Sequence, residues 1–281
     1  MEEWPLIIFT LLVQGSVGLT LATSLFLLVG GKALAGAEQR RFILPPLLMA
    51  VIAAACGLIA STLHLGYPLN AFHALRHVES SWLSREIIFA SLYLAAIGFT
   101  TLLVLFFRKV SKTLLLASAI LGLVDIYCMG AIYVHSSVIT WTHINTWMMF
   151  YGATLSLGAT AGLGFFAARR GINDAITQKV AICAAAVLIA SALSRVLEQM
   201  AYFSYLAKAE LSEVVTFPHQ PLEAFEQLHS GYLAAWVVLI AGVVIQSLPV
   251  RSRGSKTFLA LGALMVIAAE ILLRVVFFSL N

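Results

Sequence analysis

The chain has 281 residues, of which 61% are hydrophobic and only 11% carry a formal charge. Soluble globular domains carry about 25% charged residues, so this composition excludes a soluble fold and predicts a multi-span membrane protein. The net charge is +4, but the basic residues lie in short clusters between apolar runs. This distribution argues against a nucleic-acid-binding surface.

Eight apolar segments follow one another along the chain, and each is close to the 20 or so residues that cross a bilayer. They lie at approximately 5–29, 44–65, 85–107, 112–134, 147–168, 178–201, 228–248 and 257–279. No connection is long enough to hold a soluble core. We therefore predict an all-α integral membrane protein, in which eight transmembrane helices with short loops form a single polytopic membrane domain over residues 1–281.

Basic residues separate the loops into two sets. The loops that follow the first, third, fifth and seventh spans hold twelve of the 17 lysines and arginines: Lys32, Arg40, Arg41, Arg108, Lys109, Lys112, Arg169, Arg170, Lys179, Arg251, Arg253 and Lys256. Basic loops remain in the cytoplasm. The pattern predicts a bacterial inner (cytoplasmic) membrane protein with both termini on the periplasmic side.

Ionisable residues inside the spans are costly and indicate function or pairing. Asp125 stands alone, while Arg195 and Glu198 are three residues apart and Glu270 and Arg274 are four apart. These spacings predict an ion pair within each of the two helices. Two roles remain open for the pairs: structural support, or an arginine that donates to an oxygen of a bound ligand.

A histidine and a glutamate lie at two span ends that face each other if the second and third spans are neighbours. His64 ends the second span, and Glu86 begins the third. Oxidation of a lipid-soluble quinol releases two protons as its electrons leave, so a site needs two proton acceptors at an apolar channel. His64 and Glu86 are the candidate acceptors. His73 and His77 are four apart, but no second pair of ligands accompanies them, so no metal site is predicted.

The histidines and cysteines also bear on cofactors. All seven histidines lie in loops or at span ends, whereas a bis-histidine haem needs ligands deep within facing helices. The three cysteines lie singly in apolar runs without metal-ligand spacing. We predict that this chain binds neither haem nor an iron–sulfur cluster, and that a partner's cluster approaches the quinol directly.

Three segments resemble the membrane anchor subunit of the dimethyl sulfoxide reductase family: HLGYP at 64–68, SSWLSREI at 80–87 and EILLRVVFF at 270–278. The resemblance implies an anchor without cofactors that oxidises menaquinol in anaerobic respiration. It also implies two partners, a four-cluster iron–sulfur subunit and a molybdopterin catalytic subunit. Carried over by position, the family's histidine and glutamate are His64 and Glu86. The secondary quinol-binding residues that we expect are Gly66, Arg85, Tyr133, His135, Arg195, Glu198, Glu270 and Arg274.

Two other functions are consistent with parts of the pattern. A solute or ion transporter would use the intramembrane charges for coupling, but such proteins commonly have interrupted helices and sites near the midplane. A structural membrane tether would use the polar layer only to dock a soluble partner. Asn70 stands where the resemblance leads us to expect a basic residue, so the terminal electron acceptor stays open.

Overall fold

The computed structural model of the chain describes residues 3–30, 34, 36–64, 77–167, 174–210, 217–252 and 256–280. Nine α-helices account for almost all of these residues: α1 (Trp4–Gly30), α2 (Gly36–His64), α3 (Trp82–Phe106), α4 (Lys112–Val134), α5 (Ile144–Gly162), α6 (Asp174–Glu210), α7 (Pro221–Gln227), α8 (His229–Ser252) and α9 (Lys256–Ser279). All except the short α7 are long and apolar enough to cross a membrane. The predicted all-α membrane fold and its eight spans are confirmed.

Two helices extend well beyond the predicted apolar limits. α2 begins at Gly36 instead of residue 44, because its polar first turns find partners. The Arg40 guanidinium donates to the carbonyl oxygens of Val104 and Leu105, at 3.0 and 3.1 Å, where α3 ends. α6 continues to Glu210 instead of ending at 201. Hydropathy marks the apolar part of a helix, whereas such side-chain contacts decide where the helix ends.

α1 occupies the centre of the bundle and packs against α2, α4, α5, α6 and α9. Two contacts show which helix ends share one side. The rings of Trp82 and His135 stack at 5.3 Å, joining the start of α3 to the end of α4. Trp141, just before α5, donates its indole N–H to the Phe277 carbonyl near the end of α9, at 2.9 Å. We call this side of the bundle the Trp82 end.

Glycines bring α1 and α5 into backbone contact. A Cβ added at Gly18 would lie 2.0 Å from the Thr154 carbonyl oxygen, and one added at Gly158 would lie 2.4 Å from the Gly18 Cα. Gly158 and Gly162 are spaced as GxxxG, a pattern typical of close helix crossings. Here Gly158 makes that close contact between helices.

We expect Gly158→Ala to lower the free energy of unfolding by about 1–3 kcal/mol, because the methyl group overlaps the α1 backbone and forces the two helices apart. Thermal unfolding of the purified protein measures the effect. Gly98→Ala is the matched control, because a Cβ there meets nothing within 4 Å. Equal unfolding temperatures for the two variants would show that the crossing does not need glycine.

Candidate functional site

Five acidic or basic side chains are buried among the residues that the structure describes: Glu86 on α3, Asp125 on α4, Arg195 on α6, and Glu270 and Arg274 on α9. A charge in the interior of a membrane bundle needs a partner or a function. The geometry separates this group into paired and unpaired members.

Arg195 forms a bidentate ion pair with Glu270 across two helices. Its two terminal nitrogens lie 2.6 and 3.1 Å from the two carboxylate oxygens. The prediction of ion pairs within single helices is therefore wrong. Glu198, three residues from Arg195, lies instead beside His143, with 3.5 Å between Oε1 and the histidine Nδ1. Bidentate geometry makes the interhelical pair the stronger interaction for Arg195.

The sequence of α5 leaves room for the Arg195 side chain. A Cβ at Gly152 would lie 2.1 Å from the Arg195 Cδ, so the arginine crosses α5 where no side chain stands. The guanidinium also lies 3.6 Å from the Met149 sulfur and 5.5 Å from the centre of the Trp236 ring. These contacts enclose the ion pair and hold it in one orientation.

Arg274 does not pair with Glu270, although the two residues are one helical turn apart. Its Nη2 donates to the side-chain oxygen of Gln14 on α1, at 2.8 Å. Its guanidinium lies over the Phe150 ring, 4.1 Å from the centroid. Nη1 is buried and has no hydrogen-bond partner in the described part of the chain. Arg274 therefore retains a free donor in the interior.

Neutral amides complete the polar layer, and the sequence analysis missed them. Gln199 donates to the side-chain oxygen of Asn145 at 3.1 Å and accepts from the Tyr232 hydroxyl. Gln14 donates weakly to the Met129 sulfur at 3.9 Å. Buried amides need partners almost as strictly as charges do. Gln14 and Gln199 lie within predicted apolar spans, and this position could have identified them as buried polar residues that need partners.

The carboxyl groups of Glu86 and Asp125 are buried without a cation. Glu86 is 5% exposed in the second turn of α3, and Asp125 is fully buried in the middle of α4. Neither forms an ion pair with a described residue, and both Asp125 oxygens have no hydrogen-bond partner there. The two groups interact electrostatically.

The other predicted site residues have diverse surroundings. Arg85 caps the turn before α3, because its Nε donates to the Val78 carbonyl at 2.9 Å and its guanidinium covers the Trp82 ring. His135 ends α4, with its Nδ1 2.9 Å from the Ala131 carbonyl. The Tyr133 ring packs among aromatic rings, including Phe150 at 5.4 Å.

The structure describes only part of the end of the second span, where the predicted neighbours of Glu86 lie. α2 and α3 pack against each other, so the two spans are neighbours. The side chain of His64 and the whole of Gly66 lie outside the described residues. The distance between His64 and Glu86 therefore stays a prediction.

An apolar groove of about 570 Å³ opens between α1, α2, α5 and α9. Trp4 and Ile8 line it at the Trp82 end, and Phe165 lines it toward the opposite end. Glu270 also contributes to the lining, so the groove reaches the Arg195–Glu270 pair. A long apolar molecule fits such a surface. In the described part of the sequence, no group of three or more His, Cys, Asp and Glu side chains is placed to hold a metal ion.

His143 caps α5 at the Trp82 end and provides a pH-sensitive contact. Its Nδ1 accepts from the Asn145 backbone N–H at 3.2 Å. Burial lowers the pKa of His143 below its ordinary value of 6.5, and the Glu198 carboxylate opposes this shift. As pH falls, His143 therefore takes up its proton at a higher pH in the unfolded protein than in the folded protein. Neutral His143 contributes fully to the stability of the folded protein above its ordinary pKa of 6.5. This contribution is lost as pH falls through the lower pKa of the folded state.

We accordingly expect the unfolding temperature to fall between about pH 7 and pH 5, in part because protonated Nδ1 can no longer accept the capping hydrogen bond. His143→Asn keeps a capping acceptor without titrating, so its unfolding temperature should fall less over the same interval. Unfolding curves at a series of pH values test this. Parallel pH dependences for the two proteins would show that His143 is not involved.

Comparison with known proteins identifies the family. A sequence model of the DMSO reductase anchor subunit (DmsC) matches residues 1–280. The chain is 28% identical over 285 residues to the anaerobic dimethyl sulfoxide reductase protein YnfH of Escherichia coli, covering 100% of this chain and 95% of that protein. It is 31% identical over 159 residues to an anaerobic dimethyl sulfoxide reductase subunit of Haemophilus influenzae, covering 56% and 55%. No solved structure matches. The protein thus belongs to the DMSO reductase anchor subunit family and is a multi-pass membrane anchor.

Proposed function

We propose that this anchor oxidises menaquinol at the Trp82 end of the bundle, with Glu86 as a proton acceptor. The observation that carries the proposal is the buried Glu86 carboxyl, which has no cation partner among the described residues, whereas Glu270 is paired with Arg195. Such a group is costly for stability alone. A proton-transfer role accounts for its position.

The chemistry requires two acceptors for two protons. One quinol O–H bond breaks and its proton forms an O–H bond on the Glu86 carboxylate, while His64 accepts the proton of the second hydroxyl. The two electrons would pass one at a time to an iron–sulfur cluster of a partner subunit, and the quinol becomes a quinone. Family membership supports that partner and, beyond it, a molybdopterin catalytic subunit.

Arg274 is the member of the charged layer best suited to contact the quinol. Its Nη1, which has no hydrogen-bond partner among the described residues, is a donor for a quinol oxygen. Arg195 and Glu270 neutralise each other's charge and hold the layer in place. The groove that reaches Glu270 supplies an apolar path from the lipid for a long isoprenoid tail.

The proposed sidedness combines the basic loops with the position of the site. Positive-inside bias supports a periplasmic location for the Trp82 end, in a bacterial inner membrane. The iron–sulfur partner then docks at that end, because this protein has no predicted carrier to take electrons across the bilayer. Labelling of single cysteines in intact cells tests this. A partner that protects Arg108–Lys112, instead of the turn at residues 77–81, would reverse the assignment.

The complete complex provides the test of quinol oxidation. Preparations with and without this anchor should accept electrons equally from a reduced viologen, which reaches the soluble subunits directly. Only the preparation with the anchor should accept them from a menaquinol analogue. Quinol-driven turnover without it would contradict the proposal and leave the anchor as a structural tether.

A further inference from the structure

The buried charges of the bundle do not balance if every acid is ionised. Two arginines and three carboxyl groups are buried among the residues that the structure describes. Arg195 and Glu270 neutralise each other at hydrogen-bond distance. This leaves one cation, Arg274, and two acids, Glu86 and Asp125. An excess charge in such an interior is strongly disfavoured.

Other charges near this layer lie where water reaches them. Glu3, Arg85, His143 and Glu198 are each only partly buried. Water stabilises the charges of Glu3 and Arg85, and the Glu198 carboxylate lies against His143. Tyr93, Tyr133 and Cys128 also face the two acids, but they are neutral at physiological pH. Among the described residues, the balance of buried charge therefore depends on Glu86, Asp125 and Arg274.

We propose that Glu86 and Asp125 form an acid pair that together carries one negative charge and one proton, matched to Arg274. Asp125 holds the proton at rest and Glu86 carries the charge. Asp125 is then a positioning residue that keeps Glu86 ionised.

The register of α3 and α4 supports this division. Trp82 stacks on His135, and the hydroxyls of Thr100 and Ser118 lie 3.4 Å apart. These two antiparallel contacts place Asp125 level with Tyr93, and Glu86 two turns nearer the Trp82 end, a distance of about 10 Å along the helix.

The surroundings of the two acids also favour a proton on Asp125 and a negative charge on Glu86. Asp125 lies in mid-helix, where nothing described donates a hydrogen bond to it, so the neutral acid is the less costly form there. Glu86 lies two turns nearer the Trp82 end and is 5% exposed, so a charge costs less there than on the fully buried Asp125. Charge on Glu86 and a proton on Asp125 therefore cost least.

The consequence for catalysis rests on the proposed function. With Asp125 neutral, the Glu86 carboxylate is free to form an O–H bond with one quinol proton. Both acids are then neutral and Arg274 is left without a counter-charge. This excess positive charge favours release of the proton before the next quinol reacts.

Combined substitutions in the purified complex test the charge balance by stability, independently of quinol turnover. Glu86→Gln and Asp125→Asn should each leave the complex assembled, because the remaining acid ionises to match Arg274. Glu86→Gln with Asp125→Asn should lower the yield of assembled complex by about tenfold or more, because Arg274 is then unmatched. Adding Arg274→Gln to the double variant should restore the yield.

If Asp125 had only a structural role, removing a positive charge from another helix would not restore the yield of assembled complex. Additive effects of the two single substitutions, or a triple variant no more stable than the double, would overturn the proposal. Loss of quinol oxidation in any variant bears on the proposed function and not on the charge balance. A quinol assay that contradicts the proposed function leaves the result of this stability cycle unaffected.

Discussion

Glu86→Gln should lower menaquinol-driven reduction by the assembled complex by about 100-fold or more, the usual contribution of a general base. Glutamine keeps the size and polarity of the side chain but cannot take up a proton at neutral pH. The turnover number with a menaquinol analogue measures the effect. Turnover with a reduced viologen should be unchanged, because that donor bypasses the anchor.

Glu79→Gln is the matched control for this substitution. Glu79 lies in the exposed turn before α3, and its substitution removes the same charge from the same end of the bundle. Its backbone carbonyl, which accepts from Arg85 at 2.6 Å, is unaffected by the change. A Glu86→Gln complex that turns over quinol like the Glu79→Gln complex would exclude Glu86 as the acceptor.

Arg195→Met should destabilise the anchor by about 3–5 kcal/mol, because it leaves Glu270 charged and unpaired in the interior. Methionine follows the same path past Gly152 and preserves much of the packing volume. The amount of anchor that remains folded in detergent, followed over a denaturant or temperature series, measures the loss. Lys208→Met, at an exposed position on the same helix, should have little effect.

The paired variant shows whether the loss comes from the stranded charge. Combining Arg195→Met with Glu270→Leu removes both charges, and we expect it to recover most of the lost stability, as for other buried ion pairs. If the double variant is as unstable as Arg195→Met alone, packing of the guanidinium against Met149 and Trp236 accounts for the effect instead.

Hydropathy was sufficient to predict the membrane fold. Each of the eight predicted spans corresponds to a helix, because a backbone in lipid must satisfy its own hydrogen bonds. The ends were less predictable where polar residues continue a helix. The stretch before residue 44 reads as a loop, yet it is helical because Arg40 binds the end of α3.

The site was predictable in its residues but not in its pairings. Glu86, Asp125, Arg195, Glu270 and Arg274 are visible in the sequence as charges in or beside apolar spans. Spacing along one helix indicated the wrong partners, because the Arg195 side chain passes Gly152 of α5 and meets Glu270, 75 residues away in sequence. Rotation of each helix about its axis decides such contacts, and tertiary packing sets that rotation.

The quinol-oxidising role of the anchor is tested most directly by a single turnover. The complete complex is mixed rapidly with a menaquinol analogue and frozen at intervals, and electron paramagnetic resonance then follows reduction of the partner's iron–sulfur clusters. We predict fast reduction in the wild-type complex, and slowing by about 100-fold or more in the Glu86→Gln complex, with equal reduction by dithionite in both. Equal rates of quinol-driven cluster reduction in the two complexes would contradict a quinol site at Glu86.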